Sequence, residues 1–311
     1  MERKISSPPL PWQRKESAHT TPAPMSQPHI LITPGDPAGI GPEVIAKALA
    51  HPDLPQHCSF ETWDIPNHFQ PGHPTAETAR FALDALETAA ARLLDGTADA
   101  VVTGPVSKEQ LQAIGFPYPG QTEFFTDRLH ATETAMCLTG RTLTVVLATI
   151  HIGIAEVPSQ LTPASIITAG KLLANFLQKR HRRQPRIAVC GLNPHAGEHG
   201  AFGQEEITTI QPAIDQLQKL HIAEFSGPHV PDAIFRDAAQ QKYDGVLCMY
   251  HDQGLIPLKL LDFDNAVNIT LGLPKPRLSP DHGTAFGIAG KNIADASSML
   301  RALQLAAQLL S

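Results

Sequence analysis

Cysteine is scarce in this chain, and what there is does not pair by spacing. Cys58, Cys137, Cys190 and Cys248 form no Cys-x-x-Cys motif, which excludes zinc-ribbon and thioredoxin-type readings. Three of the four lie in or beside apolar runs and read as buried, reduced thiols, as suits a cytosolic protein. No apolar run approaches the ~20 residues that a membrane helix needs. The N-terminus also lacks the hydrophobic core of a secretory signal. Excess positive charge is missing too: the formal net charge is −6, with 17% charged residues. Neither a nucleic-acid surface nor a membrane surface is indicated, and the one basic cluster, Lys179-Arg-His-Arg-Arg183, reads as a helix end. No internal repeat is visible. The expectation is a cytoplasmic protein with a small-molecule partner.

What the chain has in quantity is histidine, 15 residues, and proline, 28. Several of each fall in the first 75 residues, so the totals alone say nothing about metal. Position says more. The apolar run Val246–Tyr250 stops at His251, Asp252 and Gln253, followed by Gly254, and reads as a buried strand ending in a turn. Leu143–Ile150 ends in the same way at His151. Ile187–Cys190 leads through Gly191-Leu-Asn-Pro194 to His195. Ligands in open α/β sheets collect past the carboxyl ends of strands, and three neutral imidazoles with an open position make a catalytic metal site. His151, His195 and His251 are therefore candidate ligands. Each alone reads more readily as an ordinary loop histidine, and only the three together weigh evenly toward a metal site. His199 has helical spacing from His195, but Pro194, Gly197 and Gly200 make that stretch a loop. Asp252 and Asp232 are candidates for orienting ligands or moving protons; as a plain alternative, Asp252 is a turn residue before Gly254.

Residues 1–24 are rich in Pro, Ser, Thr and charge, have no periodicity and read as a disordered extension, with Met25 a candidate start. A strand at His29–Thr33 runs into Pro34-Gly-Asp-Pro-Ala-Gly-Ile-Gly-Pro-Glu43 and then a helix to about Ala50. That loop could cradle phosphate, but it matches neither G-x-G-x-x-G nor the P-loop pattern. Residues 51–74 look loop-like. Thr75 caps a helix closed by Gly96, Ala98–Thr103 is a strand, and Gly104-Pro-Val-Ser-Lys108 follows, where a lysine beyond a strand end could hold an anion. Gly120–Glu123 looks like a polar loop entering a helix. Thr162-Pro163 starts a helix to about His181. Beyond it come a loop at Asn193–Gly203, a helix from about Gln204 to Leu220, a loop at Gly227–Asp232, a strand at Val267–Thr270, a loop at Gly272–Thr284 and a last helix near Ala294–Leu310. Strands alternating with helices predict an α/β fold with a largely parallel sheet. Asp281-His-Gly-Thr-Ala-Phe-Gly-Ile-Ala-Gly290 has small residues that would let a flat ring approach the backbone; a structural loop reads as well.

Taken together, Thr33–Glu43, Gly191-Leu-Asn-Pro-His-Ala-Gly-Glu198, Tyr250-His-Asp-Gln-Gly254, Val267-Asn-Ile-Thr-Leu-Gly-Leu-Pro274 and Asp281-His-Gly-Thr-Ala285 resemble the 4-hydroxythreonine-4-phosphate dehydrogenase family of pyridoxal 5′-phosphate biosynthesis, from about residue 29 to the end. The resemblance implies two α/β/α domains with a cleft between them, as in isocitrate and isopropylmalate dehydrogenases. The first would be 25–125 plus 273–311 and the second 126–272. It implies NAD- or NADP-dependent oxidation of 4-phosphooxy-threonine at the C3 hydroxyl, then decarboxylation to 3-amino-2-oxopropyl phosphate. A divalent ion (Zn, Mg or Co) would sit on His151, His195 and His251, in a site shared across a homodimer. Substrate contacts carry over to Gln121, Thr122, Lys259, Asn268 and Arg277, proton-moving roles to Asp252, Lys259 and Asp232, and the cofactor loop to His282, Gly283, Thr284 and Ala285.

Three departures stand out. Gln121 occupies a position where the family commonly has His, and it cannot change charge near neutral pH. Ser107 stands where some members have His. The 51–74 segment is short, so a strand of the first domain is expected to be missing or remodelled. Rival readings are a paralogue acting on threonate or erythronate 4-phosphate, a non-catalytic metal- or phosphate-binding relative, and a metallohydrolase using histidines and aspartates to activate water.

Overall fold

The structure, a computed structural model, describes residues 27–311; the expected extension at 1–24 and the start at Met25 lie outside the described residues. In chain order the elements are β1 His29–Thr33, α1 Gly41–Leu49, β2 Ser59–Thr62, α2 Ala76–Leu94, β3 Ala100–Thr103, α3 Lys108–Ala113, α4 Gln121–Arg128, β4 Ala135–Thr139 and β5 Thr144–Leu147. They continue with α5 Val157–Gln160, α6 Pro163–His181, β6 Arg186–Cys190, α7 Gln211–Lys219, β7 Glu224–His229, α8 Pro231–Ala239, β8 Gly245–Cys248, α9 His251–Asp262, β9 Val267–Leu271, β10 Arg277–Pro280 and α10 Ser297–Leu309.

The long helices form where local signals agree. Thr75 caps α2 by accepting from the Thr78 amide, Thr78 answers in a capping box, and an alanine-rich stripe from Ala79 to Leu93 is buried. Thr162 caps α6 in the same way, with Pro163 in its first turn, where the missing N–H costs nothing.

All ten strands join one sheet, in the order β2-β1-β3-β10-β9-β4-β5-β8-β6-β7. The sheet is largely parallel, as expected, but mixed, with antiparallel pairings at its centre. β2, β1, β3 and β10 form one parallel block and β5, β8, β6 and β7 another. β9 and β4 join them through antiparallel pairings, so the blocks run in opposite senses.

On one face a single apolar core runs the whole width, from Ile30, Ile32 and Val102 to Ile187 and Leu247, under α1, α6, α7 and α10. On the other face the core is split. Leu31 and Val101 pack with Leu86, Leu111 and Phe124 of α2, α3 and α4. Val145, Val246 and Cys248 pack with Ile234 of α8 and Leu255 and Leu258 of α9. Successive side chains of a strand point to opposite faces. In β9 and β10, Val267, Ile269 and Leu278 therefore enter the continuous core, while Asn268, Arg277 and Ser279 line the gap between the two smaller clusters. The expected cleft is this polar interval in an otherwise apolar face.

Several elements were not legible in the sequence. Residues 51–74 contain β2, which pairs in parallel with β1, so this strand of the first block is present rather than missing. β4, β10 and α8 fall in stretches without a clear period, and β7 runs into the expected loop at Gly227–Asp232. The expected turn after Tyr250 is instead the first turn of α9. Gln253 organises it, its Oε1 accepting from the Met249 amide at 2.6 Å and its Nε2 donating to the Gly191 carbonyl at 2.8 Å. Gly254 lets the helix lie on the sheet, because a Cβ there would stand 3.0 Å from Cys248 Sγ.

Candidate active site

The gap between the two clusters is a cavity of about 350 Å³. Its floor is β10, β9 and β4, through Arg277, Ser279, Asn268 and Met136. One wall is the loop after β3 with Lys108 and the first turn of α4 with Gln121, Thr122 and Glu123; the other carries His151, Lys259, Asp281, His282 and Gly283. All five expected substrate contacts, Gln121, Thr122, Lys259, Asn268 and Arg277, line this one space.

Arg277 lies at its base, 2% exposed. Its Nη2 donates to Thr103 Oγ1 at 2.7 Å and to Gln121 Oε1 at 2.8 Å, and its Nη1 reaches Thr270 Oγ1 at 3.4 Å. No carboxylate forms an ion pair with it among the described residues. Burial pushes its pKa down to about 10, opposed by the Glu123 charge, so it stays a cation at neutral pH. Lys259 pairs with Asp281 at 3.1 Å. Thr122 Oγ1 lies 3.3 Å from Thr270 Oγ1. Glu123 Oε2, Asn268 Oδ1, Arg277 Nε and His282 Nε2 are buried without hydrogen-bond partners, and all four residues line this cavity. Buried polar atoms are normally satisfied, and these four all belong to residues around one space.

The histidines separate into a pair and a single. The rings of His151 and His251 are 5.7 Å apart between centroids, tilted by 44°. Burial, helped by the Lys108 charge, holds His151 below its ordinary value, with Glu123 acting against it, and so favours the neutral form that binds metal. His251 Nδ1 lies 2.7 Å from Asp252 Oδ1. His195 joins neither. It sits on a run of left-handed residues, with φ of 53° at His195, 52° at Ala196, 78° at Gly197, 40° at Glu198 and 56° at His199. That turn carries its ring to Phe202, at 6.0 Å, and to a separate groove. Among the described residues no group of three His, Cys, Asp or Glu side chains is disposed around one ion. Of the expected three imidazoles, the described protomer brings two near one another and leaves the third apart.

Asp232 is exposed in the first turn of α8 and, like the exposed Asp252, does not line the cavity. In the expected cofactor loop, His282 and Gly283 reach the cavity, while Thr284 and Ala285 turn away from it. The Thr284 carbonyl accepts from the Ile40 amide at 2.9 Å, and a Cβ on Gly39 would come within 2.8 Å of that oxygen. The loop after β1 and the His282–Ala285 loop are thus packed backbone to backbone, which only glycine allows at position 39. Sequence reasoning gave Lys108 only a general anion role and did not single out Glu123 or Asp281. Their motifs held the signal, but which members faced the cavity needed the fold.

An α/β protein whose central strands hold Arg277 without an ion-pair partner, in a cleft also lined by Lys108, Lys259 and His151, has the site of an enzyme for a small, charged substrate. Comparison with known proteins agrees. Residues 38–306 match the family described as pyridoxal phosphate biosynthetic protein PdxA. The 4-hydroxythreonine-4-phosphate dehydrogenase of Zymomonas mobilis is 42% identical, covering 89% of this chain and 94% of that protein. The enzyme of the same name from Geobacter metallireducens is 40% identical, covering 92% and 96%. The crystal structure of 4-hydroxythreonine-4-phosphate dehydrogenase from Klebsiella pneumoniae superposes with a TM-score of 0.79 at 35% identity, covering 91% of this chain and 100% of that one. The chain belongs to the PdxA family.

Proposed function

We propose that the protein oxidises 4-phosphooxy-threonine at its C3 hydroxyl with NAD or NADP and releases CO2 from the resulting β-keto acid, leaving 3-amino-2-oxopropyl phosphate. The observation that carries this reading is Arg277, buried at the floor of the cavity with neutral partners only and with Lys108 and Lys259 around the same space. A substrate bearing phosphate and carboxylate satisfies that charge, and the unpartnered atoms of Asn268 and His282 offer it further hydrogen bonds.

His151 and His251 would hold a divalent ion, with His195 of a second copy completing the set. Bound there, such an ion lowers the pKa of the substrate hydroxyl and draws charge from the carbonyl that oxidation creates. NAD or NADP, held at the His282–Ala285 loop, would accept the hydride. Lys259, paired with Asp281 at 3.1 Å, would stand beside the carboxylate that the substrate loses. Asp252 and Asp232, exposed in one protomer, would act on protons at the joint with the second copy. A homodimer is further supported by an apolar stripe on and just after α9, where Ile256, Leu260 and Phe263 recur at helical spacing and Leu260 is 83% exposed. Among the described residues no helix is long and apolar enough to cross a membrane.

The test is an assay of the metal-loaded protein with 4-phosphooxy-threonine and NAD, then with threonate 4-phosphate. NADH formed from the first supports the reading. Turnover of the threonate alone points to the paralogous activity, phosphate release without NADH points to a hydrolase, and substrate binding with no NADH points to a non-catalytic relative.

A further inference from the structure

Gln121 opens α4 at the wall of the cavity, and its side chain is engaged. Its Oε1 accepts from Arg277 Nη2 at 2.8 Å, and its Nε2 makes a long contact, 3.5 Å, with the Gly104 carbonyl. Those two contacts fix which end of the amide faces the arginine. The remaining Arg277 partners, Thr103 and Thr270, are hydroxyls, so every acceptor on this guanidinium is neutral.

The geometry points to Gln121 as a positioning residue. It fixes the Arg277 fork without neutralising it, so that the whole charge meets the phosphate or carboxylate of the substrate, and it frees that binding from any protonation at position 121. The inference rests on the reading of the cavity as the site of a phosphorylated substrate. A carboxylate at 121 would form an ion pair with Arg277 and repel an incoming dianion. An imidazole at 121 would gain a proton more readily once a dianion lay beside it, coupling anion binding to pH. The other charged or titratable groups around Arg277 are Glu123 on α4, Lys108 on α3, Lys259 on α9, Asp281 and His282 after β10, and His151 after β5. They are common to the parent and to any variant at 121, so a difference between proteins isolates this position.

Sulfate is the probe, because it remains a dianion across the working range. Its binding to the full chain is measured by calorimetry at about pH 6 and about pH 8, for the parent, Gln121→Glu and Gln121→His, with a thermal melt of each. Gln121→Glu is expected to melt no lower than the parent yet bind sulfate more than about tenfold more weakly at the higher pH, the scale of one charge-assisted hydrogen bond. With substrate, KM should rise in step while kcat changes less. Gln121→His is expected to bind sulfate more tightly as pH falls, relative to the parent. A Gln121→Glu variant that binds sulfate as the parent does, or a Gln121→His variant whose ratio to the parent does not move with pH, overturns the inference and leaves the proposed function standing. A parent that binds no sulfate removes the anion reading of the cavity itself, and this inference with it.

Discussion

The imidazoles of His151 and His251, one past the end of β5 and the other opening α9, face each other with 5.7 Å between ring centroids. Among the described residues of one protomer no third candidate ligand stands with them. If His195 of a second copy completes the set, the defect of a His195→Ala subunit and that of a His251→Ala subunit fall on different chains of one shared site. Each variant alone should lose turnover and bind metal about 10- to 100-fold more weakly or worse, taking the loss of a supporting ligand contact as the floor. Mixed dimers of the two should recover part of the activity, because one of their two sites is then intact. Inactive mixtures of well-folded subunits would dismiss the shared site.

The α9 stripe gives a second, separate measurement. Leu260 is 83% exposed, with Ile256 and Phe263 alongside. If this face is covered by a second copy, Leu260→Asp buries a charge there and should shift the protein to monomer in sedimentation at micromolar concentration. An unchanged dimer would place the interface elsewhere.

Close approach of two loops predicts the effect of a single methyl group. A Cβ at position 39 would meet the Thr284 carbonyl oxygen at 2.8 Å and the Thr284 Cβ at 3.0 Å. Gly39→Ala should therefore displace the His282–Ala285 loop, at a cost of about 1–3 kcal/mol in stability. It should raise KM for NAD more than KM for the phosphorylated substrate. Equal changes in both constants would show that the loop does not serve the cofactor.

The acid side of the stability profile should depend on His229. Burial lowers its pKa from the ordinary 6.5, with Asp237 acting weakly the other way, and its Nε2 lies 2.8 Å from Ser226 Oγ. With the folded pKa below the unfolded one, the unfolded chain takes the proton first. This contribution is therefore complete above about pH 6.5 and declines as pH falls through that value. His229→Gln should flatten this part of a denaturant-derived profile between about pH 7 and pH 5. Identical slopes in parent and His229→Gln would reject the assignment.

How much of this was legible follows from where the signals lie. α2 and α6 were readable because Thr75 and Thr162 place caps before continuous helical periods, and both helices begin where those caps sit. β10 was not, since Arg277-Leu-Ser-Pro280 has no apolar run; its polar members are buried only because β3 and β9 flank it and the cavity lies above. The start of α9 was hidden for a related reason, since Gln253 reaches across to Met249 and Gly191 and no local pattern announces that contact.

By itself the sequence determined the α/β character, the capped helices and the long motifs that identify the family. All of these depend on residues close together along the chain. Only the tertiary structure decided that the sheet is mixed, that its central strands present Arg277 uncompensated to a cavity, and that His195 turns away from His151 and His251. Each depends on which strand lies beside which and on which face a side chain then occupies, and contacts between distant residues leave no period in the sequence.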